Sequence, residues 1–200
     1  MHISEGVLPG WLLSAGWVAT TLGLWIGMKK TNQERLPFVA LLSSVFFVAS
    51  LIHVPVGITS VHLLLNGLIG ICLGWSAYPA IFVGLLFQAL LFQFGGITVL
   101  GVNTFNMASG ALTAYYLTKP LLKRPTKLKL IGAGTLGALS AVLTSGLLLS
   151  LELLSCGNSF HSTATLAFLA HLPVAGVEAV INSFSLVFLH KNAPELLEVK

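Results

Sequence analysis

Seven apolar stretches, at about residues 10–28, 37–53, 61–76, 79–94, 105–122, 130–153 and 165–189, leave this chain almost nowhere to fold but in a bilayer. Each approaches the ~20 residues with which a helix crosses the hydrocarbon core, the third and fourth being short. Of 200 residues, 56% are hydrophobic and 8% charged, where soluble domains carry about 25% charged residues. The runs are too long for the roughly 10-residue alternating strands of an outer-membrane barrel. The predicted fold is an all-α integral membrane protein, a bundle of about seven transmembrane helices forming one domain over residues 1–200.

The 10 Lys and Arg residues set its orientation. Lys29, Lys30 and Arg35 lie between the first two stretches, Lys119, Lys123, Arg124, Lys127 and Lys129 around the link between the fifth and sixth, and Lys191 and Lys200 after the seventh. Basic residues collect on the cytoplasmic side, so the N-terminus is expected outside and the C-terminus inside. The net charge of +4 could suit nucleic acid, but confined to short loops and tails it forms no binding face, and no nucleic-acid partner is expected. No Lys or Arg precedes the first apolar run, so residues 1–9 are expected to persist as an external segment rather than be cleaved with a signal peptide. Cys72 falls in an apolar segment and Cys156 in an external loop; no bridge is expected and neither is given a role.

This topology puts His2, His53, His62 and His161 on the outer side, His171 a little way into the seventh stretch, and only His190 in the cytoplasm. The pair Met1-His2 can chelate a metal. A free α-amine, the His2 backbone nitrogen and the His2 Nδ1 close a five-membered and a six-membered ring on one ion. Tetragonal all-nitrogen coordination suits Ni²⁺ or Cu²⁺ rather than Mg²⁺ or Ca²⁺, and it needs a fourth donor from elsewhere. The best candidate is His62, expected at the outer mouth of a helix capped by Thr59 or Ser60. Asn66, four residues on, would share its face and orient the imidazole. His53 is the competing donor, and an ordinary capping or interface role is the alternative for either histidine.

Residues 93–106 carry Gly95, Gly96, Gly101, Asn103 and Asn106 and cannot make a clean lipid-facing helix. They are expected to fold inward as a loop over the site, with Asn103 and Asn106 forming hydrogen bonds rather than ligating metal. Glu178 is the one acid deep in a predicted span, and it shares a stripe with His171 and Asn182. An intramembrane carboxyl is costly and points to function, as a partner of the site or a proton relay; the alternative is a structural network with Asn103 or Asn182. Ala15, Ala19, Gly23 and Gly27 give the first helix a smooth face for a close partner helix, in the same bundle or in a second subunit. No GxSxG, HExxH or phosphate-cradling loop is present, so no enzyme activity is expected and energy must come from another subunit or a gradient.

The opening Met1-His2-Ile3-Ser4-Glu5-Gly6-Val7-Leu8-Pro9 resembles the CbiM/NikM family, as do Thr59-Ser60-Val61-His62, Gly95-Gly96-Ile97-Thr98 with Asn103-Thr104-Phe105-Asn106-Met107, and His171-Leu172-Pro173 with Glu178. These are the substrate-capturing membrane components of energy-coupling-factor cobalt and nickel importers. The resemblance covers almost the whole chain and implies that Met1, His2 and His62 hold the metal. It further implies a transmembrane coupling protein, two cytoplasmic ATPases and a small accessory membrane protein as partners, in a bacterial or archaeal cytoplasmic membrane. The Glu5-Gly6 opening looks closer to the cobalt-named branch, whereas planar four-nitrogen geometry favours Ni²⁺, so both ions are kept as the transported substrate. The competing readings are a gradient-driven transporter or channel that uses Glu178, and a non-transporting membrane scaffold.

Overall fold

The computed structural model describes residues 2–51, 53–56 and 59–197. Among them are seven α-helices: α1 (Gly10–Lys30), α2 (Leu36–Ala49), α3 (Asn66–Leu73), α4 (Ala77–Phe92), α5 (Leu100–Leu122), α6 (Lys127–Ser155) and α7 (His161–Asn192). Three short strands, β1 (His2–Ile3), β2 (His53–Val56) and β3 (Thr59–His62), form an antiparallel sheet in the order β1-β3-β2.

The bundle is apolar on its outside and buries polar side chains within a largely apolar core. Phe184 and Val180 are more than 70% exposed, whereas Thr20, Gln88, Asn66, Asn182 and Glu178 are fully buried. That inversion is stable only where lipid replaces water, since backbone and polar side chains must then find partners inside the protein. Among the described residues four segments are long and apolar enough to cross a membrane, by length and composition: Gly10–Lys30, Asn66–Phe92 (α3 and α4 taken together), Lys127–Ser155 and Asn158–Asn192.

The expected third span, residues 61–76, is only partly helical. All eight residues of α3 are buried, and at 1.5 Å per residue this helix is about 12 Å long, less than half a hydrocarbon core. Its start is delayed because Thr59–His62 pairs with both other strands and Leu65 turns through a left-handed conformation (φ 49°) before the helix begins. Its end is set by Gly74, whose φ of +56° admits the reversal into α4. Tight packing around α3 depends on Gly70, where an added Cβ would stand 1.9 Å from the Ala111 carbonyl oxygen of α5.

Helix α5 starts at Leu100, earlier than expected, so Asn103 and Asn106 lie on a helix and not in a loop. Both are buried, and protein rather than lipid covers that stretch. On α1 the buried stripe is Gly16, Thr20, Gly23 and Gly27, with Ala15 exposed and Ala19 half-buried. Gly23 abuts the Tyr78 ring, and Gly27 the Trp75 carbonyl and Pro79. The glycine half of the predicted face is thus filled by the chain's own Trp75–Pro79 turn and α4, and is closed to a second subunit.

Candidate metal centre

The sheet brings together residues far apart in sequence. His2 pairs with Ser60, and His62 lies two residues beyond Ser60, so the register puts His2 and His62 on one face of the sheet. Their rings stack at 4.8 Å between centroids, with 26° between planes, and both side chains are buried. Two metal–nitrogen bonds of about 2.0–2.1 Å require donors within roughly 4 Å of each other, a separation these rings can meet. The Phe94 ring is also stacked near His2, with centroids 6.4 Å apart.

The His62 Nδ1 lies 2.8 Å from the Leu63 carbonyl oxygen. A carbonyl only accepts, so Nδ1 carries the proton and Nε2 holds the lone pair a metal needs. Burial pushes the His62 pKa well below the ordinary histidine value, and the neighbouring His2 and His171 rings act in the same direction. The ring is therefore neutral, the form that ligates.

Asn103 pins the N-terminal segment. Its Oδ1 accepts from the Ile3 backbone N–H at 3.0 Å and its Nδ2 donates to the Ile3 carbonyl at 3.2 Å, so a carboxamide takes the place of a further strand beside β1. Beside it Glu5 forms a clasp that sequence reasoning missed. Its backbone N–H donates to the Gly95 carbonyl at 3.1 Å, while its carboxylate accepts from the Thr98 N–H at 2.8 Å and the Thr98 hydroxyl at 3.0 Å. Those Thr98 hydrogen bonds hold the Glu5 pKa below the usual carboxylate range. The Gly95-Gly96-Ile97-Thr98 motif was visible, but its partner lies about ninety residues away, beyond the reach of spacing arguments.

Glu178 lies deep in the seventh helix as expected, but its partners were not foreseen. It is fully buried on α7, and its Oε1 accepts from the backbone N–H groups of Leu64 and Leu65, the latter at 2.9 Å. These bonds take the place of those to Asn103 or Asn182 that the alternative structural network would use. The carboxylate thus satisfies donors that precede α3 and fixes the turn carrying Leu63, the residue that orients His62. His171, Glu178 and Asn182 do lie on one buried face, and the His171 Nδ1 sits 2.5 Å from the Ala167 carbonyl.

Asn66 is not a helical neighbour of His62, because His62 ends a strand and a turn separates it from α3. Its Nδ2 donates instead to Ser145 Oγ at 3.0 Å and to the Met107 carbonyl at 3.3 Å. Neither Thr59 nor Ser60 caps α3, whose first turn follows Leu65. Asn106 lies deeper, with Nδ2 donating to Glu152 Oε2 at 2.7 Å. His53 is the Cα partner of His62 across β2 and β3, and its side chain falls outside the described part. Met1 also lies outside the described residues. Among those residues no three or more His, Cys, Asp or Glu side chains gather as a metal cage.

The family described as the cobalt uptake substrate-specific transmembrane region, CbiM, matches residues 2–196. The chain belongs to the CbiM family. A putative metal transport protein of Haemophilus influenzae is 41% identical across 98% of this chain and 97% of its own length. The cobalt transport protein CbiM of Sorangium cellulosum is 33% identical, covering 99% and 95%. A fused nickel transport protein, NikMN, of Rhodobacter capsulatus is 31% identical over 98% of this chain and 64% of that longer protein. Crystal structures of a transition metal transporter and of a truncated one superpose with TM-scores of 0.76 and 0.74 at 29% and 27% identity, each over 96% of this chain and over 93% and 99% of theirs. The chain is accordingly a membrane protein of the cobalt and nickel uptake family, and its relatives are metal transport proteins.

Proposed function

We propose that this CbiM-family protein captures Ni²⁺ or Co²⁺ at the outer face of a bacterial or archaeal cytoplasmic membrane for ATP-driven import. The observation that carries the reading is the stacked pair His2 and His62, buried together at the end of the bundle where the sheet lies. The ion would be held by the α-amine of Met1, the backbone nitrogen and Nδ1 of His2, and Nε2 of His62. Two features support main-chain donors. Side chains alone supply only two imidazoles there among the described residues, and Asn103 and Glu5 hold the first residues in an extended course beside the strand that carries His62. Four nitrogens around one ion suit Ni²⁺, and Co²⁺ binds the same donor set less tightly in the usual divalent order.

Uptake would require a transmembrane coupling protein, a pair of cytoplasmic ATPases and a small accessory membrane protein, because the chain carries no nucleotide-binding motif of its own. The basic residues at the far end of the bundle support a cytoplasmic placement for that end. The test is isothermal titration of Ni²⁺ and Co²⁺ into the untagged, detergent-purified chain. The wild type should bind one ion, and His2→Ala and His62→Ala should each lose it; a His62→Ala variant that binds like the wild type would sink the assignment.

A further inference from the structure

At the end of α3 remote from His62 lies a cavity of about 570 Å³, lined in part by Lys30, Arg35 and Lys119. The partners of all three cations are neutral among the described residues. Lys30 Nζ stands 5.2 Å from the Trp75 ring centroid and Lys119 Nζ 5.4 Å from that of Tyr115. Lys119 also donates to the Tyr115 hydroxyl at 3.4 Å, and the Arg35 guanidinium to the Leu196 carbonyl at 3.2 Å. Trp75 is itself fixed by its indole N–H, which donates to the Tyr116 hydroxyl at 2.8 Å. Aromatic rings thus hold the ammonium groups in place without cancelling their charge.

Glu34, Glu195 and Asn32 line the same cavity. Three cations against two carboxylates leave one positive charge in excess, so the lining offers both anion-binding and hydroxyl-accepting groups. The cavity borders surface that lipid must cover. Met28 and Trp25 on α1 are 67% and 57% exposed, and Leu117, next to Tyr116 on α5, is 49% exposed. Lys29 lies 3.8 Å over the Trp25 ring, so the same edge carries a further cation–aromatic pair. Trp, Tyr and basic residues gathered at one depth mark the headgroup level of a membrane.

We propose that this cavity seats the headgroup of an anionic phosphoglycerol lipid. The phosphate is held by Lys30, Arg35 and Lys119, the glycerol hydroxyls donate to Glu34 and Glu195, and the acyl chains run along the exposed faces of α1 and α5. A soluble phosphate would use the cations but neither the hydroxyl acceptors nor the adjoining apolar faces. A choline headgroup offers no hydroxyl or N–H donor, and an ethanolamine headgroup leaves the excess positive charge unmatched. Basic pockets between membrane helices recognise anionic headgroups by this combination.

The test is native mass spectrometry of the full chain in detergent, offered phosphatidylglycerol, phosphatidylethanolamine or phosphatidylcholine in turn, with inorganic phosphate as competitor. Phosphatidylglycerol should be retained most strongly and should resist phosphate. Lys30→Gln with Lys119→Gln should weaken it by roughly fivefold for each charge removed, whereas Lys30→Arg with Lys119→Arg should retain it. Nickel titration should be unchanged in both variants, which separates this site from the metal centre. Equal retention of the three lipids, displacement by phosphate, or a Gln variant that keeps the lipid like the wild type would each overturn the proposal. Should the Gln variant fail to fold, the lipid ranking in the wild type and the Arg variant decides.

Discussion

Asn103 and Ile3 bond to each other as two paired strands do, through an N–H···O contact of 3.0 Å in one direction and 3.2 Å in the other. With β3 on one side and this carboxamide on the other, Ile3 is held along both edges of the segment that carries His2. Asn103→Leu removes both bonds at about 1 kcal/mol each and leaves the buried Ile3 groups unpaired. Nickel affinity should fall by roughly 30-fold or more at about 1.4 kcal/mol per decade, with the helical content unchanged by circular dichroism. Wild-type affinity in titration would show that the segment is held by other means.

Glu178 acts here as an acceptor for Leu64 and Leu65, a role that does not require charge. Glu178→Gln keeps an acceptor oxygen and should retain metal binding with a modest loss of thermal stability. Glu178→Leu strands two buried N–H groups and should cost about 2–6 kcal/mol, seen as a large drop in the unfolding midpoint. Transport driven by a pH gradient in the chain alone, abolished by Glu178→Gln, would instead make the carboxyl a proton carrier.

Placing one residue ahead of Met1 moves the amine out of chelate range while leaving the imidazoles of His2 and His62 intact. Metal binding should be abolished and the fold preserved. The check is metal content by mass spectrometry of the extended and native chains, and equal loading would refute the chelate.

Acid should act on the protein in two ways. Burial depresses the His62 pKa, so the unfolded chain takes up its proton first, near the ordinary value of about 6.5. The stability contributed by the neutral ring is therefore complete above that pH and is lost as the pH falls below it. Nickel affinity should decline earlier, by about tenfold per pH unit for each proton the donors release, because the main-chain nitrogens must be deprotonated while His62 is already neutral. Titrations between pH 8 and 5 that give a flat affinity would contradict a main-chain nitrogen ligand.

Glu5→Ala removes the acceptor that ties residues 95–98 to the N-terminal segment. The loop should then open more often, and nickel should dissociate faster into an added chelator, with Glu5→Gln intermediate. An unchanged off-rate would show that the clasp does not retain the ion.

Much of this protein could be read from its residues. The apolar runs led to the helices because a bilayer admits few other solutions, and the His171, Glu178 and Asn182 spacing of 7 and 4 placed all three on one buried face. The candidate metal centre was legible only as chemistry, since an N-terminal His2 and a distant His62 are recognisable as possible donors wherever they lie. Their surroundings were not. Residues 53–62 read as an external loop that leads into the third span, and nothing local says that Thr59–His62 pairs with His2–Ile3 some sixty residues earlier.

What the sequence determined by itself was a lipid-embedded helical bundle with a histidine-bearing N-terminus, because hydropathy, charge placement and donor chemistry are properties of residues taken in order. What only the tertiary structure decided was which groups hold that terminus: Asn103 on Ile3, Thr98 on Glu5, and Glu178 on the turn before α3. Hydrogen bonds between segments about one hundred residues apart depend on packing, which no local pattern encodes.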